Sequence, residues 1–181
     1  MNKTPSMMLT TQVSVAKSGA SAIPGAANRS SILLADDDRD DCNFFKDALD
    51  ELPVTAALTT VRDGEQLMKV LAEVAIAPPS PDVLFLDLNM PRKNGYDCLA
   101  EIKLDERLRR IPVIIFSTSY DPRVVDLLYT VGADYYIRKP ADFAELKKVI
   151  YQALVLATKG YSSQPLKEDF VLKGELGTIQ Q

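Results

Sequence analysis

From residue 31 to about residue 157, short apolar runs alternate with amphipathic stripes. The runs at 31–35, 57–61, 83–87, 113–117 and 135–138 predict five strands. Between them apolar residues recur at the spacing of one helix face: Phe45, Ala48, Leu49 and Leu52; then Leu67, Val70, Leu71 and Val74; then Val124, Leu127, Leu128 and Val131. Leu146, Val149, Ile150, Ala153 and Leu154 carry the last stripe. The segment 95–109 predicts a helix with a thinner stripe, Leu99 and Ile102. Strict strand–helix alternation implies a parallel sheet covered by helices on both faces. Val83-Leu84-Phe85-Leu86 and Val113-Ile114-Ile115-Phe116 show no polar alternation, as expected of strands buried on both sides. Crossovers in such sheets are almost always right-handed, which leaves few topologies. The expected fold is therefore α/β: a doubly wound, five-stranded parallel sheet with five helices over 31–157.

The two ends of the chain have a different character. Residues 1–30 are rich in Ser, Thr, Ala, Pro and Gly, contain no acidic residue and have no sustained period, so a disordered leader is expected there. Met7-Met8-Leu9 is too short for the apolar core of a secretion signal. Residues 158–181 are too few for a second domain and are expected to form a tail without an output domain.

Composition narrows the chemistry. The 181 residues carry a net charge of −4, which argues against generic nucleic-acid binding. No apolar run approaches the ~20 residues of a membrane span. With no histidine in the chain, a Ser-His-Asp triad, a Cys-His dyad and a histidine metal site are all excluded. Cys42 and Cys98 form no CxxC pair; they read as reduced, small apolar residues of a cytoplasmic protein.

What remains is carboxylate, lysine and hydroxyl chemistry, and the fold concentrates it. Ligand sites in open α/β sheets lie beyond the carboxyl ends of the strands. The first strand runs into Asp36-Asp37-Asp38, the third into Asp87, the fourth into Ser117-Thr118 and the fifth into Lys139-Pro140. Two carboxylates ~4 Å apart repel by about 4 kcal/mol at an effective dielectric of 20, so such a cluster calls for a counter-charge. A hard divalent cation with oxygen ligands, Mg²⁺ in the first instance, meets that need. A carboxylate beside such a cation and a lysine can attack a phosphoryl group, giving an aspartyl phosphate.

The motifs Leu34-Ala35-Asp36-Asp37-Asp38, Leu86-Asp87-Leu88-Asn89-Met90-Pro91 with Gly95, Phe116-Ser117-Thr118-Ser119 and Tyr136-Ile137-Arg138-Lys139-Pro140 resemble those of response regulator receiver domains, which are CheY-like and share a flavodoxin-like fold. The stretch 86–103 looks most like small stand-alone regulators of the phytochrome-associated type. The resemblance implies a single-domain response regulator of a two-component phosphorelay, with Asp87 the phosphoacceptor. It implies Mg²⁺ held by Asp37, Asp87 and the Asn89 carbonyl, with Asp36 acting through water. It also implies Lys139 as the phosphoryl-binding lysine, Ser117 as the switch hydroxyl and Tyr136 as an aromatic that turns inward on phosphorylation. A sensor histidine kinase would be the donor, and a downstream protein would dock on the face of the fourth helix, fifth strand and fifth helix; homodimerisation stays open. Catalysis would be limited to the protein's own phosphotransfer and dephosphorylation. The switch position usually holds Thr; Ser keeps the hydroxyl without the β-branch.

Plainer roles are expected for neighbouring residues. Asp38 suits an N-cap. Gly95 and Gly132 suit positions of backbone permissiveness. Arg92-Lys93 and Arg109-Arg110 suit solvated loop charges. Two other functions compete: a degenerate receiver that binds partners without phosphorylation, and a Mg²⁺-dependent phosphatase with an aspartyl nucleophile. The first predicts a lost acid or lysine, and none is lost. The second needs an acid two residues after the nucleophile, where this chain has Asn89.

Overall fold

The computed structural model describes residues 29–76, 79–158 and 164–174. The elements run β1 (Ser30–Ala35), α1 (Arg39–Asp50), β2 (Ala56–Val61), α2 (Gly64–Val74), β3 (Val83–Leu86), α3 (Gly95–Leu104), β4 (Val113–Ser117), α4 (Pro122–Val131), β5 (Tyr135–Arg138) and α5 (Phe143–Thr158). The strands form one parallel sheet in the order β2-β1-β3-β4-β5. The expected doubly wound architecture is present. Most of the expected leader, together with 159–163 and 175–181 of the expected tail, lies outside the described residues, and Ser30 already belongs to β1.

Alternate side chains of the same strands feed two cores, because neighbouring residues of a strand point to opposite faces. Ile32, Leu34, Phe85, Ile114 and Phe116 pack beneath α1 and α5. Leu33, Leu84, Leu86, Val113 and Ile115 pack beneath α2, α3 and α4. Phe45 of α1 stands edge-on to both Phe85 and Phe116, with centroids 4.8 and 5.5 Å away. Side-chain caps start the helices: Asp38, Asp63, Asn94 and Asp121 each accept a backbone N–H of the first turn.

Two helices differ from expectation. α3 stops at Leu104 instead of continuing to residue 109, since Asp105 turns extended and its carboxylate takes the Arg107 N–H at 2.8 Å. Leu108 and Ile111 are still buried, reached through a turn. In α4 the core face is rotated by one residue. Val125 and Leu128 are buried, whereas Val124 and Leu127 are 39% and 47% exposed. The chain offers two overlapping stripes, and tertiary contact selects the one carrying Tyr129.

That contact comes from the segment after α5. Residues 164–174 return along the free edge of β5, where the Tyr136 amide donates to the Phe170 carbonyl (2.8 Å) and the Leu172 amide to the Tyr136 carbonyl (2.9 Å). Phe170 is buried against the rings of Tyr129 and Tyr136. The Tyr129 hydroxyl donates to the Pro165 carbonyl, and the Gln164 amide donates to the Tyr129 carbonyl in the last turn of α4 and to the Ala133 carbonyl just past it. The outer edge of β5 is thereby partly covered, with both backbone groups of Tyr136 paired.

Phe45→Ala is expected to lower unfolding free energy by about 3–5 kcal/mol, the range for emptying a buried phenylalanine site. Urea denaturation should show a lower midpoint with an unchanged slope.

Candidate functional site

The parallel register assembles the site. Ala35 of β1 lies opposite Leu86 of β3, so the next residues of both strands, Asp36 and Asp87, emerge side by side. The Asp87 amide donates to the Ala35 carbonyl (2.8 Å), and the Asp36 amide donates to Val61 of β2 (3.0 Å). Across the sheet the Lys139 amide donates to the Ser117 carbonyl (2.8 Å), which ties the end of β5 to the end of β4. Backbone pairing thus delivers the acids and the lysine to one rim at the β1/β3 switch point, where ligands bind in this class of sheet.

Asp36, Asp37 and Asp87 each bring a carboxylate oxygen within 4.8 Å of the others. Asp36 and Asp87 are buried, and Asp37 is exposed. The Lys139 ammonium lies 2.8 Å from Asp36 Oδ2, 2.7 Å from Asp41 Oδ2 and 3.7 Å from Asp87 Oδ1. The ammonium also lies over the Phe116 ring, 5.4 Å from its centroid. Ser117 is fully buried, its hydroxyl 3.3 Å from that of Ser119. The Asn89 amide donates to Asp87 Oδ2 at 3.1 Å. Tyr136 is 1% exposed and its hydroxyl donates to the Ser119 carbonyl, so its ring lies inside the fold.

The loop from β3 to α3 is held against α2. Arg92 adopts a left-handed backbone (φ 64°), and its guanidinium pairs with the fully buried Asp63 carboxylate that caps α2. A side chain at Gly64 would strike the Lys93 carbonyl at 2.2 Å, and one at Gly95 would strike the Asp87 carbonyl at 2.0 Å. Gly95 is therefore required by close approach rather than by an unusual φ. Lys93 pairs with Glu101. Arg92, though exposed as expected, and half-buried Lys93 each also hold this loop through an ion pair, and Arg109 and Arg110 are exposed. Gly132 sits at a left-handed helix end (φ 110°), and Asp38 caps α1.

Sequence reasoning missed Asp41 and Asp63. Asp41 was legible in one respect: it stands four residues after Asp37 on the first turn of a helix that begins at the same rim. Asp63 gave no signal beyond a helix-capping position.

Electrostatics reflect a shortage of cation. Burial pushes Asp36 up to about 6, against the opposing pull of Lys139, and raises Asp87 as well. Burial pulls Lys139 down, but its hydrogen bonds to Asp36 and Asp41 outweigh that and hold it above the ordinary lysine value. The Lys139 ammonium faces Asp36, Asp41 and Asp87, and Asp37 adds a further carboxylate to the same rim. Carboxylate oxygens at this separation suit a hard divalent cation.

The response regulator receiver domain family matches residues 32–151. The chain belongs to this family. The response regulator Rcp1 of Synechocystis is 32% identical over 121 residues, covering 66% of this chain and 82% of Rcp1. Among solved structures, the phosphorylated cyanobacterial phytochrome response regulator RcpA superposes with a TM-score of 0.66 at 33% identity, covering 75% of this chain and all of RcpA. The Mn²⁺-bound form of Rcp1 gives 0.62 at 29% identity, covering 75% of this chain and 99% of that one. Receiver domains are signalling modules of two-component systems; they interact with histidine kinases and downstream partners and bind a divalent metal at this acidic pocket. Among the described residues no helix is long and apolar enough to cross a membrane.

A cation must displace the proton that Asp36 holds below about pH 6. Because the pKa is raised in the metal-free fold, apparent cation affinity should be flat above pH 7. It should fall below pH 6 by up to roughly tenfold per pH unit. Calorimetric titration across pH 5–8 checks this.

Proposed function

We propose that this receiver accepts a phosphoryl group on Asp87 from the phosphohistidine of a sensor histidine kinase and passes the signal on by protein contact. The observation that carries this reading is the convergence of Asp36, Asp37, Asp87 and Lys139 on one rim, with Asp87 Oδ1 3.7 Å from the ammonium. Asp87 attacks phosphorus; the Asp87 O–P bond forms as the histidine N–P bond breaks, and the proton needed by the leaving imidazole comes from the partner or solvent. The Asn89 backbone N–H on Oδ2 helps to orient the Asp87 carboxylate. Mg²⁺ held by Asp37, Asp87 and the Asn89 carbonyl, with Asp36 acting through water, would offset charge on the transferred oxygens. Lys139 supplies the second positive charge. Hydrolysis of the acyl phosphate returns the ground state, and this self-directed chemistry is the extent of catalysis.

Ser117 is the switch hydroxyl: buried beside Ser119, it exchanges that contact for a phosphoryl oxygen. Tyr136 senses the move, because its hydroxyl is bonded to the Ser119 carbonyl. The change is a shift between two states biased by a local charge. It reaches the face of α4, β5 and α5, where a downstream protein, or a second copy in a homodimer, docks. Residues 164–174 already occupy the β5 part of that face, leaving the outward side of α4 with Tyr120, Val124 and Leu127. Buried, unpaired Cys42 and Cys98 fit a reducing cytoplasm. The receiver spans about residues 31–157, and residues 164–174 pack back onto its β5 edge. A degenerate receiver is disfavoured because the acids and the lysine are all in place, and a phosphatase is disfavoured because Asn89 cannot protonate a leaving group.

Incubation with acetyl phosphate and Mg²⁺ should add the mass of one phosphoryl group to the wild type and nothing to Asp87→Asn; equal labelling of both would overturn the assignment. In thermal melts Mg²⁺ should raise the midpoint, by mass action on a site present only in the folded state. Asp37→Asn should lose most of that gain, and identical curves with Mg²⁺ and with chelator would sink the metal site.

A further inference from the structure

Lys139 is 9% exposed in its side chain, so its ammonium chooses among carboxylates rather than between carboxylate and water. Those carboxylates are not equivalent. Asp36 is fully buried and held at both ends: one oxygen takes the Asp38 amide (3.1 Å) and the other takes Lys139 (2.8 Å). Losing the lysine would strand a buried charge, which is costly. Asp87 has Oδ1 nearest the ammonium, but at 3.7 Å the two are not hydrogen-bonded. Asp41 sits closest, at 2.7 Å, and its side chain is 37% exposed. It is carried on the first turn of α1, where its own amide is held by the Asp38 cap (3.1 Å).

We propose that Asp41 is a positioning residue that draws the Lys139 ammonium off Asp87 and is the partner it gives up when a phosphoryl group forms there. The inference rests on the phosphoacceptor reading of Asp87. The exchange is asymmetric for a physical reason. When Lys139 swings to the phosphoryl oxygens, the half-exposed Asp41 carboxylate is rehydrated by solvent, while the buried Asp36 keeps its contact. The flexible lysine stem permits the swing without backbone movement. Asp41 therefore competes with the phosphoryl group for one cation, and its presence weakens the loaded state. Nothing is transferred to or from Asp41; its role is to set the resting place of a charge.

The test uses beryllium fluoride with Mg²⁺, a non-transferable stand-in for the aspartyl phosphoryl group, titrated calorimetrically into the full chain. Asp41→Asn should bind it about three- to tenfold more tightly than the wild type, the scale of one charge-assisted hydrogen bond no longer contested. Asp40→Asn removes the same charge from the same helical turn at an exposed position and should match the wild type. If Asp41→Asn binds like the wild type, or if Asp40→Asn tightens binding equally, the positioning role falls while the phosphoacceptor reading stands. If the wild type itself does not bind beryllium fluoride with Mg²⁺, the phosphoacceptor reading falls and takes this inference with it. Binding by a variant also certifies that it is folded.

Discussion

The molecule is organised around an excess of negative charge at the rim where β1 and β3 end. Lys139 is the ammonium bonded there, and it is shared by Asp36 and Asp41 with Asp87 just beyond bonding distance. Mutual repulsion of carboxylates in a partly buried setting makes the rim an unstable arrangement that a cation stabilises. Much of the surrounding structure serves to keep these groups from escaping one another. The parallel register sets Asp36 beside Asp87, and the Lys139–Ser117 backbone bond pulls the lysine across. The upward shift of both buried acids is the electrostatic trace of that confinement.

Around this centre, two connecting segments are tied to the sheet by specific contacts. The β3–α3 loop, which carries Asn89, is pinned by the Arg92–Asp63 pair and by the close approach of its backbone to Gly64 and Gly95. Asp63 thus has two tasks, capping α2 and neutralising Arg92, and both fix the loop relative to the rim. On the far side, 164–174 lies against Tyr136 and Tyr129 through Phe170. Tyr136 consequently joins the rim to the molecular edge: its hydroxyl meets the Ser119 carbonyl, and its backbone pairs with the C-terminal segment. A chain of contacts from Ser117 to the outer face runs through that one residue.

The parts of the fold legible in the residues were those governed by burial on both sides. Val83 to Leu86 and Val113 to Ser117 can only be central strands, since nothing in them tolerates solvent. The α5 stripe of Leu146, Val149, Ile150, Ala153 and Leu154 is buried throughout, as its spacing implies. Ambiguity arose where apolar residues exceed what one face can bury. In α4, Val124 and Val125 are both plausible core residues by spacing. The choice fell to Val125 because Tyr129 on its side is covered by a segment some 35 residues further on. In α3 the thin stripe of Leu99 and Ile102 does not mark where the helix ends, so spacing alone does not stop it at Leu104. The Asp105 side chain instead captured a nearby N–H and ended the helix.

What the sequence determined by itself was the list of chemical groups and the rim on which they meet. Alternation and handedness leave few strand orders, and residues at the carboxyl ends of parallel strands share one rim of the sheet. Tertiary structure alone decided how the charges are shared: that Asp41 holds Lys139 more closely than Asp87 does, that Arg92 neutralises Asp63, and that Tyr136 lies inside. Periodicity reports only which face of an element a residue occupies. Pairing between side chains on different elements depends on ångström-scale distances and on how much water remains between them, and no single segment encodes either.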